Sequence, residues 1–153
     1  MTLWLICDAS GSMIEGGKRL IVRGLVQQVE QYLRLGHATN VDVRLVTWRD
    51  HVAELGWITS DEVPDELLEC RGSVDAAELL TLLGHESNDR YLMLTDGFWP
   101  DDSRKRLKDW RDRLSPDALR VIKIGADSNP KMMGDEVFEA ECFLEAMDGW
   151  LPR

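Results

Sequence analysis

The sequence predicts an α/β fold: a doubly wound, mostly parallel β-sheet with helices on both faces. Short continuous apolar runs, the mark of strands buried on both sides, alternate along the chain with segments whose apolar residues recur at helical spacing. Parallel neighbours need such crossover segments between them. The length, 153 residues with 44% hydrophobic and 30% charged side chains, is that of one domain. A chain of this size buries about 68–70% of its unfolded surface, enough for one core without disulfides.

The first run, Leu3-Trp4-Leu5-Ile6-Cys7, ends at Asp8 and reads as a buried strand. From 18 to 35, Ile21, Val22, Leu25, Val26, Val29, Tyr32 and Leu33 keep helical spacing, and Gly36 suits the stop. Residues 41–48 begin in strict alternation and 52–57 follow after three residues, which predicts an antiparallel hairpin with one edge strand. Ser73 is placed to cap a helix over 74–83, and Tyr91-Leu92-Met93-Leu94 is a second buried strand, ending at Thr95-Asp96-Gly97. A charged helix starting at Asp102 or Ser103 runs to Leu114, and 119–124 is a further strand after Pro116. Beyond Gly125 the pattern predicts a short helix over 130–133, a small strand at 137–138 and a terminal helix over 144–150.

Charge excludes some functions. Lys and Arg number 18 against 28 Asp and Glu, a formal net charge of −10, so a phosphate backbone or an anionic membrane is repelled on average. No run approaches the ~20 apolar residues of a membrane span, and residues 3–7 are too short for a signal-peptide core. Cys7, Cys70 and Cys142 form no CxxC pair, which removes the usual zinc and redox motifs and points to a reducing compartment. The expectation is a single domain over 1–153 in the cytoplasm, with neither nucleic acid nor membrane as partner.

In such sheets ligands collect outside the carboxyl ends of strands, where strand order reverses, and Asp8 and Asp96 each stand at a strand end. Asp8-Ala9-Ser10-Gly11-Ser12 offers one carboxylate and two hydroxyls at alternate positions of a turn. Oxygen ligands with retained waters suit a hard divalent cation such as Mg²⁺.

Asp8-x-Ser10-x-Ser12 after an apolar strand, with Thr95-Asp96-Gly97 after a later one, resembles the von Willebrand factor A domain and its metal-ion-dependent adhesion site. The resemblance spans roughly residues 1–150. It implies a Rossmann-like sheet of six strands, five parallel and one antiparallel at an edge. It also implies Mg²⁺ or Mn²⁺ bound through Ser10 and Ser12, with Asp8 and Asp96 acting directly or through water. Where the family usually carries a threonine after glycine, this chain has Cys70-Arg71-Gly72-Ser73. Ser73 is the candidate for that threonine's place as a fifth metal ligand, retaining the hydroxyl without the stiffness of a β-branched side chain, and Arg71 beside it opposes a cation.

By the same resemblance the domain is not an enzyme but a binding module, whose metal takes an acidic side chain from another protein. Short bacterial cytoplasmic proteins of this family resemble adaptors of MoxR-type AAA ATPases, or of kinases and phosphatases in tellurite-resistance and conflict systems. Two alternatives stand beside it: a metal-dependent phosphohydrolase with Asp8 as nucleophile, and an interaction domain of this fold that binds no metal. The phosphatase pattern wants a second carboxylate where Ser10 stands, and neither a Gly-x-Ser-x-Gly elbow nor a phosphate-binding loop is present. His37, His51 and His85 fall in no metal-ligand spacing. Two features bear on partners. Residues 104–113 carry six basic and two acidic side chains, Arg104, Lys105 and Lys108 among them, and a basic patch on an acidic body orients an encounter. Phe98 and Trp99, directly beyond Asp96, are of the kind enriched in interface anchors, though packing into the core is an equal expectation.

Overall fold

The computed structural model describes residues 1–86 and 88–152. Six strands form one sheet: β1 (Thr2–Asp8), β2 (Asp42–Trp48), β3 (Val52–Leu55), β4 (Arg90–Thr95), β5 (Leu119–Lys123) and β6 (Val137–Glu139). Their spatial order is β3-β2-β1-β4-β5-β6. All neighbours are parallel except the β2–β3 hairpin, which puts an antiparallel strand at an edge as the hairpin expected over 41–57 predicted.

Helices α1 (Lys18–Arg34), α2 (Ala76–Leu83), α3 (Asp101–Arg113) and α4 (Phe143–Met147) cover the sheet, with short 3-10 turns over Gly11–Gly17, kinked at Glu15 and Gly16, leading into α1. The alternation of β1 divides the core. Leu3, Leu5 and Cys7 point into the layer containing Val22, Val26 and Val29 of α1 and Phe143 and Met147 of α4. Trp4 and Ile6 point into the opposite layer with Leu79 of α2 and Leu107 and Trp110 of α3. A strand buried on both faces has no room for polar positions, hence its unbroken apolar run.

Several boundaries differ from the sequence reading. Helix α2 begins at Ala76, not 74, and its cap is Asp75, whose carboxylate accepts from the Ala77 N–H; Ser73 is exposed and caps no helix among the described residues. Ser103 does not start α3 but lies inside it, where its hydroxyl accepts from the Ala76 N–H at 3.1 Å and donates to the Val74 carbonyl at 3.4 Å. The segment expected to be helical over 130–133 is a turn, and the terminal helix is shorter, Phe143–Met147. Among the described residues, no helix is long and apolar enough to cross a membrane.

Candidate metal centre

The order of the sheet creates the site. From β1 the chain passes through α1 to β2 on one side and reaches β4 on the other, so the crevice lies at the carboxyl ends of β1 and β4. Cys7 and Leu94 pair across these strands, which brings Asp8, the last residue of β1, beside Thr95 and Asp96.

Asp8 is 2% exposed and Asp96 0%, and burying carboxylates requires hydrogen bonds for every oxygen. Asp8 Oδ1 accepts from the Ser10 N–H at 2.9 Å and the Ser10 hydroxyl at 2.7 Å, while Oδ2 accepts from the Thr95 hydroxyl at 2.6 Å. Asp96 Oδ2 accepts from the Ser12 hydroxyl at 2.7 Å, and Oδ1 from the Phe98 N–H at 3.2 Å. Ser10 Oγ and Ser12 Oγ stand 3.4 Å apart. Burial pushes the Asp8 carboxyl up to about 6, against the hydrogen bonds from Thr95 and Ser10 that lower it, while the Asp96 charge adds to the rise.

Four of the five expected ligands, Asp8, Ser10, Ser12 and Asp96, thus form one hydrogen-bonded cluster. The loop carrying the fifth docks against the first: the Gly11 N–H donates to the Gly72 carbonyl at 2.9 Å and the Arg71 N–H to the Ala9 carbonyl at 2.8 Å. Gly72 holds φ +71°, and a Cβ there would come within 2.8 Å of Asp50 Cβ, so close approach requires glycine. No hydrogen bond joins Ser73 to the other four among the described residues. The Arg71 side chain turns to Asp50, 3.7 Å away, so its charge is partly compensated there.

The sequence reading missed the cation at the centre of the cluster. Lys18, 1% exposed, heads α1 and places its ammonium 3.1 Å from Asp96 Oδ2 and 3.1 Å from an oxygen of Asp127 in the β5–β6 connection. Burial lowers its pKa, but the carboxylates of Asp127 and Asp96 outweigh that and hold it above the ordinary lysine value. One signal was available: α1 has no acidic residue in its first turn, and a lysine there opposes the helix dipole, so it must find compensation elsewhere. Thr95, seen only as part of a turn, also has a structural task. Its hydroxyl accepts from the Gly97 N–H and from Trp99 Nε1, each at 3.0 Å.

The donor set fits a hard divalent cation. Each serine hydroxyl has its proton committed to a different carboxylate, leaving oxygen lone pairs free, and adjacent ligands of an octahedral ion at ~2.1 Å lie about 3 Å apart. Three carboxylates against one ammonium leave the cluster negative. Among the described residues no three His, Cys, Asp or Glu side chains converge on one point, so an ion here would draw on the serine hydroxyls and waters rather than on a carboxylate cage. Of the expected partner anchors, Phe98 is 47% exposed beside the site, with the Lys18 ammonium 5.7 Å from its ring centre. Trp99 is half-buried against Trp48, ring centres 5.9 Å apart, so packing accounts for it. Arg104, Lys105 and Lys108 are exposed on α3.

Comparison of the whole fold gives the class of protein: the chain has the von Willebrand factor A fold. It superposes on the manganese-loaded TRAP protein of Plasmodium vivax with a TM-score of 0.61 and 13% identity, over 99% of this chain and 73% of that one. The VWA domain of SpRpn10 matches at 0.57 and 15%, over 90% and 85% respectively. Proximal thread matrix protein 1 of the mussel byssus matches at 0.55 and 12% over 95% of this chain, which spans only 44% of its length. At these identities the likeness is one of fold. No family model and no curated protein matches the sequence.

Proposed function

We propose that this domain binds Mg²⁺ or Mn²⁺ at the Asp8–Ser10–Ser12–Asp96 cluster and through it engages an acidic side chain of a partner protein, as a non-enzymatic adaptor. The observation that carries the reading is the pair of serine hydroxyls 3.4 Å apart, each donating to a separate buried carboxylate at the sheet's ligand edge. A hydroxyl-bound ion keeps more positive charge than one caged by carboxylates, so an incoming carboxylate would replace water readily. The partner would be an AAA ATPase, a kinase or a phosphatase of one bacterial cytoplasmic system.

Asp8 is a poor phosphoryl nucleophile, since both its oxygens accept hydrogen bonds and it is buried. The metal-free reading has one specific observation in its favour, the Lys18 ammonium already on Asp96. Mn²⁺ titration followed by paramagnetic NMR broadening separates the two. Broadening confined to residues near Asp8, Ser12 and Asp96, and abolished by Asp8→Ala, supports the metal site; uniform weak broadening retained in Asp8→Ala supports the metal-free module. Partner capture that requires Mg²⁺ and intact Asp8 then tests the adaptor role, and capture unaffected by EDTA refutes the metal bridge.

A further inference from the structure

A parallel crossover is usually covered by a helix, yet residues 124–136 joining β5 to β6 contain none. The sheet face beside α3 is therefore covered only by this connection, and a groove of about 300 Å³ remains between the two. Its floor is apolar, with Met93 of β4, Leu107 of α3 and Val121 of β5, and Met132 and Met133 form its lip. Met133 is 74% exposed. Methionine-rich surfaces adapt to apolar side chains of different shapes.

The walls are basic on a protein of net charge −10. Lys108 on α3 and Lys131 on the connection both line the groove, and neither has a carboxylate within ion-pair distance among the described residues. Arg111, also lining it, is by contrast paired with Glu136 at 2.8 Å. Free lysines flanking an apolar trough complement a ligand with carboxylates on either side of an apolar side chain.

We propose that this groove docks an acidic amphipathic segment of a partner protein, which seats an apolar side chain over Met93, Leu107 and Val121 and sets carboxylates against Lys108 and Lys131. The groove uses none of the side chains of the Asp8–Ser10–Ser12–Asp96 cluster, although Gly97 and Trp99, next to Asp96, line its near end, and it needs no metal.

The probe is a fluorescein-labelled peptide of about twelve residues, Asp and Glu on one face and Leu and Phe at i, i+3, i+4 and i+7 on the other. Binding is followed in EDTA by anisotropy and by the methionine methyl NMR signals, with Met1, Met13 and Met147 as internal controls remote from the groove. The expected result is saturable binding that shifts Met93, Met132 and Met133. Lys108→Glu and Lys131→Glu, both at exposed positions, should each weaken it by about tenfold or more. Arg34→Glu makes the same change of net charge on α1 and should leave it near wild type. Absence of saturation to about 1 mM, equal weakening by Arg34→Glu, or shifts centred on the control methionines overturns the proposal. Since EDTA is present throughout, failure here is independent of the metal reading.

Discussion

Lys18→Met removes the buried ammonium while keeping an unbranched side chain of similar reach. Asp96, fully buried, then keeps, among the described residues, the Ser12 hydroxyl and the Phe98 N–H as donors to its carboxylate. Removing one partner of a buried pair costs about 3–5 kcal/mol, because it leaves an uncompensated charge. The two remaining hydrogen bonds place this case at the lower end, about 3 kcal/mol. The Asp127 arm adds little, since that side chain is 63% exposed and exposed pairs are worth at most about 1 kcal/mol. For a domain of this size, where each kcal/mol moves Tm by about 2–4 °C, the melting temperature in EDTA at pH 7 should fall by about 6–12 °C. Adding Mg²⁺ should recover more stability in Lys18→Met than in wild type, because the like charge next to Asp96 has gone. Asp96→Asn in the Lys18→Met background should restore much of the loss. Calorimetric melting within about 2 °C of wild type in EDTA, or an equal Mg²⁺ gain in both proteins, would refute the view that the ammonium compensates Asp96.

The folded pKa of Asp8, about 6, lies above its ordinary value, so the native state holds the proton longer than the unfolded chain. Metal-free protein should therefore lose stability as pH rises from about 4 to 6, and Mg²⁺, which the proposed site would hold beside the ionised Asp8 carboxylate, should raise Tm more at pH 7 than at pH 5; Asp8→Asn should abolish both effects. Leu5→Ala, at a fully buried position of β1, should cost about 2–5 kcal/mol through its cavity in urea unfolding and leave the Mg²⁺-induced shift intact. Asp75→Ala removes the α2 cap to the Ala77 N–H and should cost about 1 kcal/mol by the same measurement. Gly72→Ala, at φ +71° with Asp50 in the way, should destabilise and also displace the loop from Gly11, visible as an altered Gly11 amide shift.

The alternation of apolar periods was enough to locate the six strands along the chain and to mark the hairpin, because burial on one face or two writes directly into residue spacing. It was enough as well to set Asp8, Ser10, Ser12 and Asp96 at strand ends, since a strand stops where its apolar run stops. Local spacing failed where partners are remote. Asp75 rather than Ser73 caps α2 because Ser103, from the neighbouring helix, already serves the Ala76 N–H and Val74 carbonyl. The helix expected over 130–133 did not form: the Asn129 carboxamide oxygen accepts from the Lys131 N–H, and the Asn129 N–H donates to the Asp96 carbonyl, tying the turn to the site loop.

The sequence by itself thus determined the fold class, the two aspartates at the sheet edge and the hydroxyls between them, all properties of contiguous segments. Only the tertiary structure decided that a lysine from the start of α1 lies against Asp96, and that Thr95 holds the second oxygen of Asp8. It also decided that the β5–β6 connection leaves a groove with basic walls. Each of these joins residues far apart in the chain, with Lys18 and Asp96 separated by 78 positions and Asp8 and Thr95 by 87. Electrostatic compensation of a buried charge acts over a few ångströms in space and has no period along the chain.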